Sequence, residues 1–218
     1  MRAVSLSNDG VLKQLKDNYI VGYKNITGAS YAGRSGKHDP TAPAVYTTNG
    51  AGPHNVQLFF LSPEGTVLHC LLGFWDPRDL QFEMRFVQSQ WKLWQSNRSL
   101  DEKKKINSQA NLNILRQMSS DMIARSHLQG FDAKHELKQS NSDFVFQKGD
   151  YHPPYAAGAK SMKSGGNLKS TVQVIHERMS KLSFVAYADF NVASFSDYGR
   201  EKYDKREETR TSTPAKSK

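Results

Sequence analysis

The stretch from residue 56 to residue 94 constrains this chain more than any other. Val56-Gln57-Leu58-Phe59-Phe60-Leu61 is an apolar run of strand length, and Ser62-Pro63-Glu64-Gly65 ends it. Proline second and glycine fourth suit a tight type I turn. Thr66-Val67-Leu68-His69-Cys70-Leu71-Leu72 is therefore predicted to return as the partner in an antiparallel hairpin. Neither run alternates with polar residues, which implies that both sheet faces are covered, and helices would have to cover them. Gly73-Phe74-Trp75 leads to Asp76-Pro77, an N-cap followed by proline at the first helical position. Leu80, Glu83, Met84, Val87 and Trp91 then share one stripe, with Phe82, Phe86 and Trp94 alongside. That pattern predicts a helix whose broad apolar face packs on the sheet.

The flanking segments are less regular. Val11, Leu12 and Leu15 have helical spacing, with Asp9 as the expected cap. Asp17-Asn18 breaks into Tyr19-Ile20-Val21-Gly22-Tyr23, which is predicted to be a strand. Residues 27–54 hold eight glycines or prolines and read as a long loop. Downstream, Ser99 and Glu102 fit a capping box. Ile106, Ala110, Ile114, Leu115, Met118, Met122 and Ile123 form an amphipathic face, with a break near Ser119-Ser120. Asp143-Phe144-Val145-Phe146 reads as a short strand, and His152-Pro153-Pro154-Tyr155 and Ser164-Gly165-Gly166 as loops. Val172 to Met179 is predicted to be a helix packing outside the core. Phe184, Val185, Tyr187, Phe190, Val192, Phe195 and Tyr198 form a local cluster, and from Arg200 the charged end is expected to be mobile.

The formal charge of +9 over 218 residues invites a nucleic-acid reading, so its distribution decides. Residues 1–100 carry 10 basic and 7 acidic side chains, residues 101–199 carry 13 and 10, and residues 200–218 carry 7 and 4. Each portion is net +3, and no arm concentrates the excess. Lys103-Lys104-Lys105 beside Asp101 and Glu102 reads as a solvated face in preference to a binding patch. Nucleic acid is therefore a disfavoured partner. A hydrophobic fraction of 37 % implies a localised core. No stretch approaches 18 apolar residues, so no membrane insertion is expected. Asn8, Asp9 and Gly10 interrupt any apolar signal core. The chain is expected to be soluble, and its single cysteine is compatible with the cytoplasm.

Cys70 is the one catalytic candidate, and it forms neither an intrachain disulfide nor a CxxC pair. His69 could lower its pKa. Neighbours on a strand face opposite ways, however, so a buried, inert thiol is the favoured reading. The histidines are His38, His54, His69, His127, His135, His152 and His176. None has HExxH or HxH spacing, and His127 and His135, eight apart around Asp132, are read as accidental. No metal and no cofactor is expected. Gly33-Arg34-Ser35-Gly36-Lys37 only loosely resembles a phosphate loop, because His38 stands where serine or threonine belongs. Gly28-Ala29-Ser30-Tyr31-Ala32 lacks the second glycine of a nucleophile elbow. Asn25-Ile26-Thr27 and Asn97-Arg98-Ser99 are glycosylation sequons in form, relevant only to a secreted chain.

A helix before Tyr19–Tyr23, a long connection, the hairpin from Asn55 to His69, and Gly73-Phe74-Trp75-Asp76-Pro77 leading into a helix together resemble the thioredoxin-like family. The resemblance covers residues 1–95. It implies an α/β thioredoxin-like core, followed by a helical and irregular extension over 96–199 and a mobile charged tail over 200–218. In that family a catalytic CxxC lies between the first strand and the first long helix. Here Met1-Arg2-Ala3-Val4-Ser5 stands where the second cysteine or its neighbours would fall, which implies an N-terminally incomplete core. The family's cis-proline position corresponds to Val56 after Asn55. With neither half of the exchange apparatus in place, the resemblance implies a non-catalytic structural or protein-binding module. Two alternatives stand beside it. One is a thiol-disulfide oxidoreductase, truncated or using Cys70 with an external thiol. The other is a weak nucleic-acid binder. The oligomeric state is left open.

Overall fold

The computed structural model describes residues 1, 4–29, 31–32, 47–51, 54, 56–128, 130–138, 142–150, 168–182 and 184–196. Among them helices predominate, joined by one two-stranded antiparallel sheet. Helix α1 (Asp9–Asn18) is capped by Asn8, whose side chain accepts from the N–H groups of Gly10 and Val11. The cap thus falls one residue before the expected Asp9, which instead lies in the first turn, where its charge suits the helix dipole.

The hairpin forms as predicted. Strand β1 (Gln57–Leu61) pairs with β2 (Val67–Leu72), with Phe59 opposite Cys70 and Phe60 opposite His69. Gly65 takes φ +85° and donates to the Ser62 carbonyl at 2.9 Å, while Thr66 N–H reaches Ser62 Oγ at 3.1 Å. This turn shifts the register between Phe60 and Leu61. Every residue of β2 is buried, whereas in β1 only Phe60 is, so the expected two-sided cover applies to one strand of the pair. Gly73, at φ +70°, then turns the chain into α2 (Pro77–Gln95), capped by Asp76 accepting from Arg78 N–H.

Beyond it lie α3 (Leu100–Ile114), a single 3-10 turn, α4 (Ser120–Arg125), α5 (Gly130–Lys138), α6 (Thr171–Lys181) and α7 (Val192–Ser196). The Ser99–Glu102 capping box is present in both directions, and the break falls at Ser119, which caps α4. Three expectations fail here. The buried residues of α3 are Asn107 and Asn111, while Ile106, Ala110 and Ile114 stay partly exposed. Helix α6 packs on β2 and α3 inside the core, with Val172, Ile175 and Met179 within 2 % of full burial. Asp143–Phe146 makes only an isolated bridge, Val145 to Leu168.

One hydrophobic cluster joins Val11, Phe60, Leu72, Trp75, Leu80 and Met84 to Leu115, Met118, Val172, Ile175 and Phe195. Residues beyond 95 are therefore part of the core around the hairpin. Phe184 and Phe190 are buried as the aromatic cluster predicts, while Tyr198 and residues 200–218 lie outside the described residues. A second clasp is polar. Asp79 receives Arg125 Nη2 at 2.7 Å and Nε at 2.8 Å, and Asn49 Nδ2 donates to Asp79 and to Ser126 Oγ.

Candidate functional site

Tyr19–Tyr23, predicted as a strand, forms none: Tyr19 has extended dihedrals, and the segment joins no ladder among the described residues. It is pinned at both ends. The Tyr19 ring lies tilted against Phe60, 5.7 Å between centroids, and its hydroxyl donates to the Met84 carbonyl at 2.8 Å. Burial against Met84 pushes the Tyr19 pKa up to about 12. At the far end, the Lys24 ammonium lies 5.1 Å over the Tyr187 ring. Between these anchors Ile20, Val21 and Tyr23 stand exposed.

Facing this segment across a mostly apolar groove of about 1340 Å³ is β1. An antiparallel ladder uses the backbone groups of alternate residues. Val56 O accepts from Gly73 N–H, which sets the phase: Leu58 and Phe60 point their backbone groups at β2, and Gln57, Phe59 and Leu61 point theirs toward the free edge. No third strand pairs with that edge among the described residues. Residues 19–24 and β1 thus border one groove, whose lining includes Leu15, Leu58, Phe59, Val87 and Trp91.

A second constellation lies under the hairpin. His69 of β2, Glu83 of α2 and His176 of α6 meet with no side-chain exposure at all. His69 Nε2 is 3.1 Å and His176 Nε2 3.2 Å from the same Glu83 Oε2, and His176 Nε2 is 3.4 Å from Oε1. The two imidazoles stack at 5.2 Å between centroids, and Phe86 presents its edge to both. Behind them, Asn111 Nδ2 donates to the carbonyl and the Oδ1 of Asn107, both on α3. That bond orients the amide so that Asn111 Oδ1 accepts from His176 Nδ1 at 2.9 Å. Burial pushes the Glu83 carboxyl up, but His176 and His69 outweigh it and hold the pKa at about 2. Burial lowers the pKa of His69, and contact with Glu83 only partly offsets this.

The residues singled out from sequence are scattered. Cys70 is fully buried in the core, where desolvation raises its pKa well above the usual thiol value. Of the Lys103–Lys105 run, Lys103 donates to the Trp94 carbonyl at 2.7 Å and sits over the Trp94 ring, while Lys104 and Lys105 are exposed. His54 faces the Gly50 carbonyl at 2.9 Å, and His127 is half-buried with its pKa lowered by desolvation. Gly33–Lys37, His38, Ser30, Asn55, His152 and Ser164–Gly166 lie outside the described residues. His69 and His176 are 107 residues apart, so no spacing could have joined them. One signal was present: Glu83 falls within an otherwise apolar helical stripe, the place for a carboxylate that has a buried partner.

No family model, curated protein or solved structure matches this chain.

Proposed function

We propose that this protein is a non-catalytic, thioredoxin-like binding module that takes an extended segment of a partner protein as an added β-strand. The observation that carries the reading is the groove between Tyr19–Lys24 and the outer edge of β1, an edge that pairs with no third strand among the described residues. Strand addition supplies affinity through main-chain hydrogen bonds and specificity through alternate side chains. A segment with alternating apolar residues would satisfy the outward groups of Gln57, Phe59 and Leu61, and its side chains would cover Leu58, Phe59 and Val87. The thioredoxin-like assignment is supported by the order of helix, hairpin, glycine turn and helix. Cys70 supports no exchange chemistry, because attack requires an accessible thiolate and its sulfur is neither accessible nor readily ionised.

The test is selection from a displayed random-peptide library, followed by amide hydrogen exchange on the complex. The expected consensus alternates apolar or β-branched residues, and binding slows exchange at Phe59, Leu61 and Val21. Val21→Asp combined with Tyr23→Asp changes two exposed side chains and is expected to weaken binding at least tenfold while leaving the fold intact. Peptides that bind equally well to this variant, or that protect a different surface, would refute the reading.

A further inference from the structure

We propose that His69, Glu83 and His176 form a buried site for a first-row divalent metal ion of the zinc or ferrous kind, with Asn111 as its outer-sphere support. This stands on observations separate from the groove. His69, Glu83, Asn107, Asn111 and His176 all have no solvent exposure and lie among the apolar side chains of the core. Burying a carboxylate is costly unless a cation meets it. The hydrogen-bond accounting identifies where that cation belongs. Asn111 Oδ1 engages His176 Nδ1, which leaves Nε2 as the ring nitrogen that faces Glu83. His69 Nε2 converges on the same Glu83 Oε2. His69 Nδ1 is buried with no hydrogen-bond partner.

The dimensions fit a metal. The three ligand atoms all lie within 4.8 Å of one another. Bonds of about 2.0–2.1 Å in a tetrahedron set ligand atoms about 3.3 Å apart, and the two nitrogen–carboxylate separations are 3.1 and 3.2 Å. Two imidazoles and a carboxylate suit zinc or ferrous ion and leave further coordination positions open. A metal-bound histidine characteristically donates its other ring proton to an outer acceptor, and Asn111 already supplies that for His176. His69 Nδ1 meets no such acceptor, so this ring lacks the outer-sphere partner that His176 has. With every ligand fully buried, the ion is acquired as the chain folds.

The full chain is therefore unfolded with chelator, refolded with Zn²⁺ or anaerobically with Fe²⁺, desalted, and assayed for bound metal and thermal midpoint. The expected result is about one ion of either kind per chain and a raised midpoint. His69→Gln with His176→Gln should lose the ion, and Asn111→Leu, which keeps all three ligands, should weaken binding about 10–100-fold. X-ray absorption on the unmutated protein keeps the test independent of whether the variants fold: it should show two imidazoles and one carboxylate. Failure to retain either ion, retention undiminished in the double variant, or a shell of other ligands would overturn the site. None of these results bears on peptide binding at β1.

Discussion

Gly73 is where the hairpin, the segment before it and α2 are held together, and replacing it with alanine tests that junction quantitatively. Its φ of +70° is left-handed, which costs an L-residue about 1–2 kcal/mol. An added Cβ would also lie 2.4 Å from the Ala51 carbonyl oxygen and 2.6 Å from that of Gly50. Both obstacles are backbone, so residues 50–51 must withdraw by nearly an ångström. Those residues are clasped to the same turn, because Phe74 N–H donates to Ala51 O at 2.8 Å and Gly50 N–H to Phe74 O at 2.6 Å. Weakening either bond in this buried setting costs about 1–3 kcal/mol. Gly73→Ala is therefore expected to destabilise by about 3–5 kcal/mol, a large share of a typical total of about 5–15 kcal/mol. Gly65→Ala is the control, since Gly65 has φ +85° but nothing within 4 Å of its would-be Cβ. It carries the strain alone, about 1–2 kcal/mol. Urea unfolding, with the slope checked for constancy across variants, gives the difference. A gap below about 0.5 kcal/mol between the two variants would refute the packing of residues 50–51 against this turn.

Two further predictions concern single side chains. Cys70 should resist alkylation and aromatic disulfide reagents in the native protein and react in parallel with unfolding, because its thiol is fully buried and its pKa is raised; rapid native labelling would disprove this burial. Tyr19 should ionise about two pH units above an ordinary tyrosine, at about 12 instead of 10. With the folded pKa above the unfolded one, its contribution to stability is complete below about pH 10 and is lost as pH rises toward 12. The tyrosinate absorbance titration should lose a late step in Tyr19→Phe, and a titration unchanged by that variant would show that Tyr19 is not desolvated.

Local physical chemistry made part of this molecule legible in advance. The Ser62–Gly65 turn, the Asp76-Pro77 start of α2, the Ser99–Glu102 box and the break at Ser119 each depend on residues within four positions of one another. Backbone donors there are satisfied by near neighbours, so composition and order suffice. Periodicity failed where polar residues were buried. The apolar spacing of α3 pointed to Ile106 and Ile114, yet Asn107 and Asn111 face the interior because α6 brings His176 to them. Helix α6 itself was expected outside the core, yet it packs on β2 and α3, where His176 finds Asn111 and Glu83 as partners.

The strand propensity of Tyr19–Tyr23 did not yield a strand, because a ladder needs a second edge within about 5 Å, and its presence is a property of the assembled fold. The hairpin, the helix after it and the helix boundaries were thus determined by the sequence alone, through short-range hydrogen bonding and side-chain period. Only the tertiary structure decided that the outer edge of β1 has no third strand among the described residues and that His69, Glu83 and His176 converge. The reason is physical: partners 14, 93 and 107 residues apart meet only after burial of the intervening apolar surface has brought β2, α2 and α6 together, and no local rule encodes that meeting.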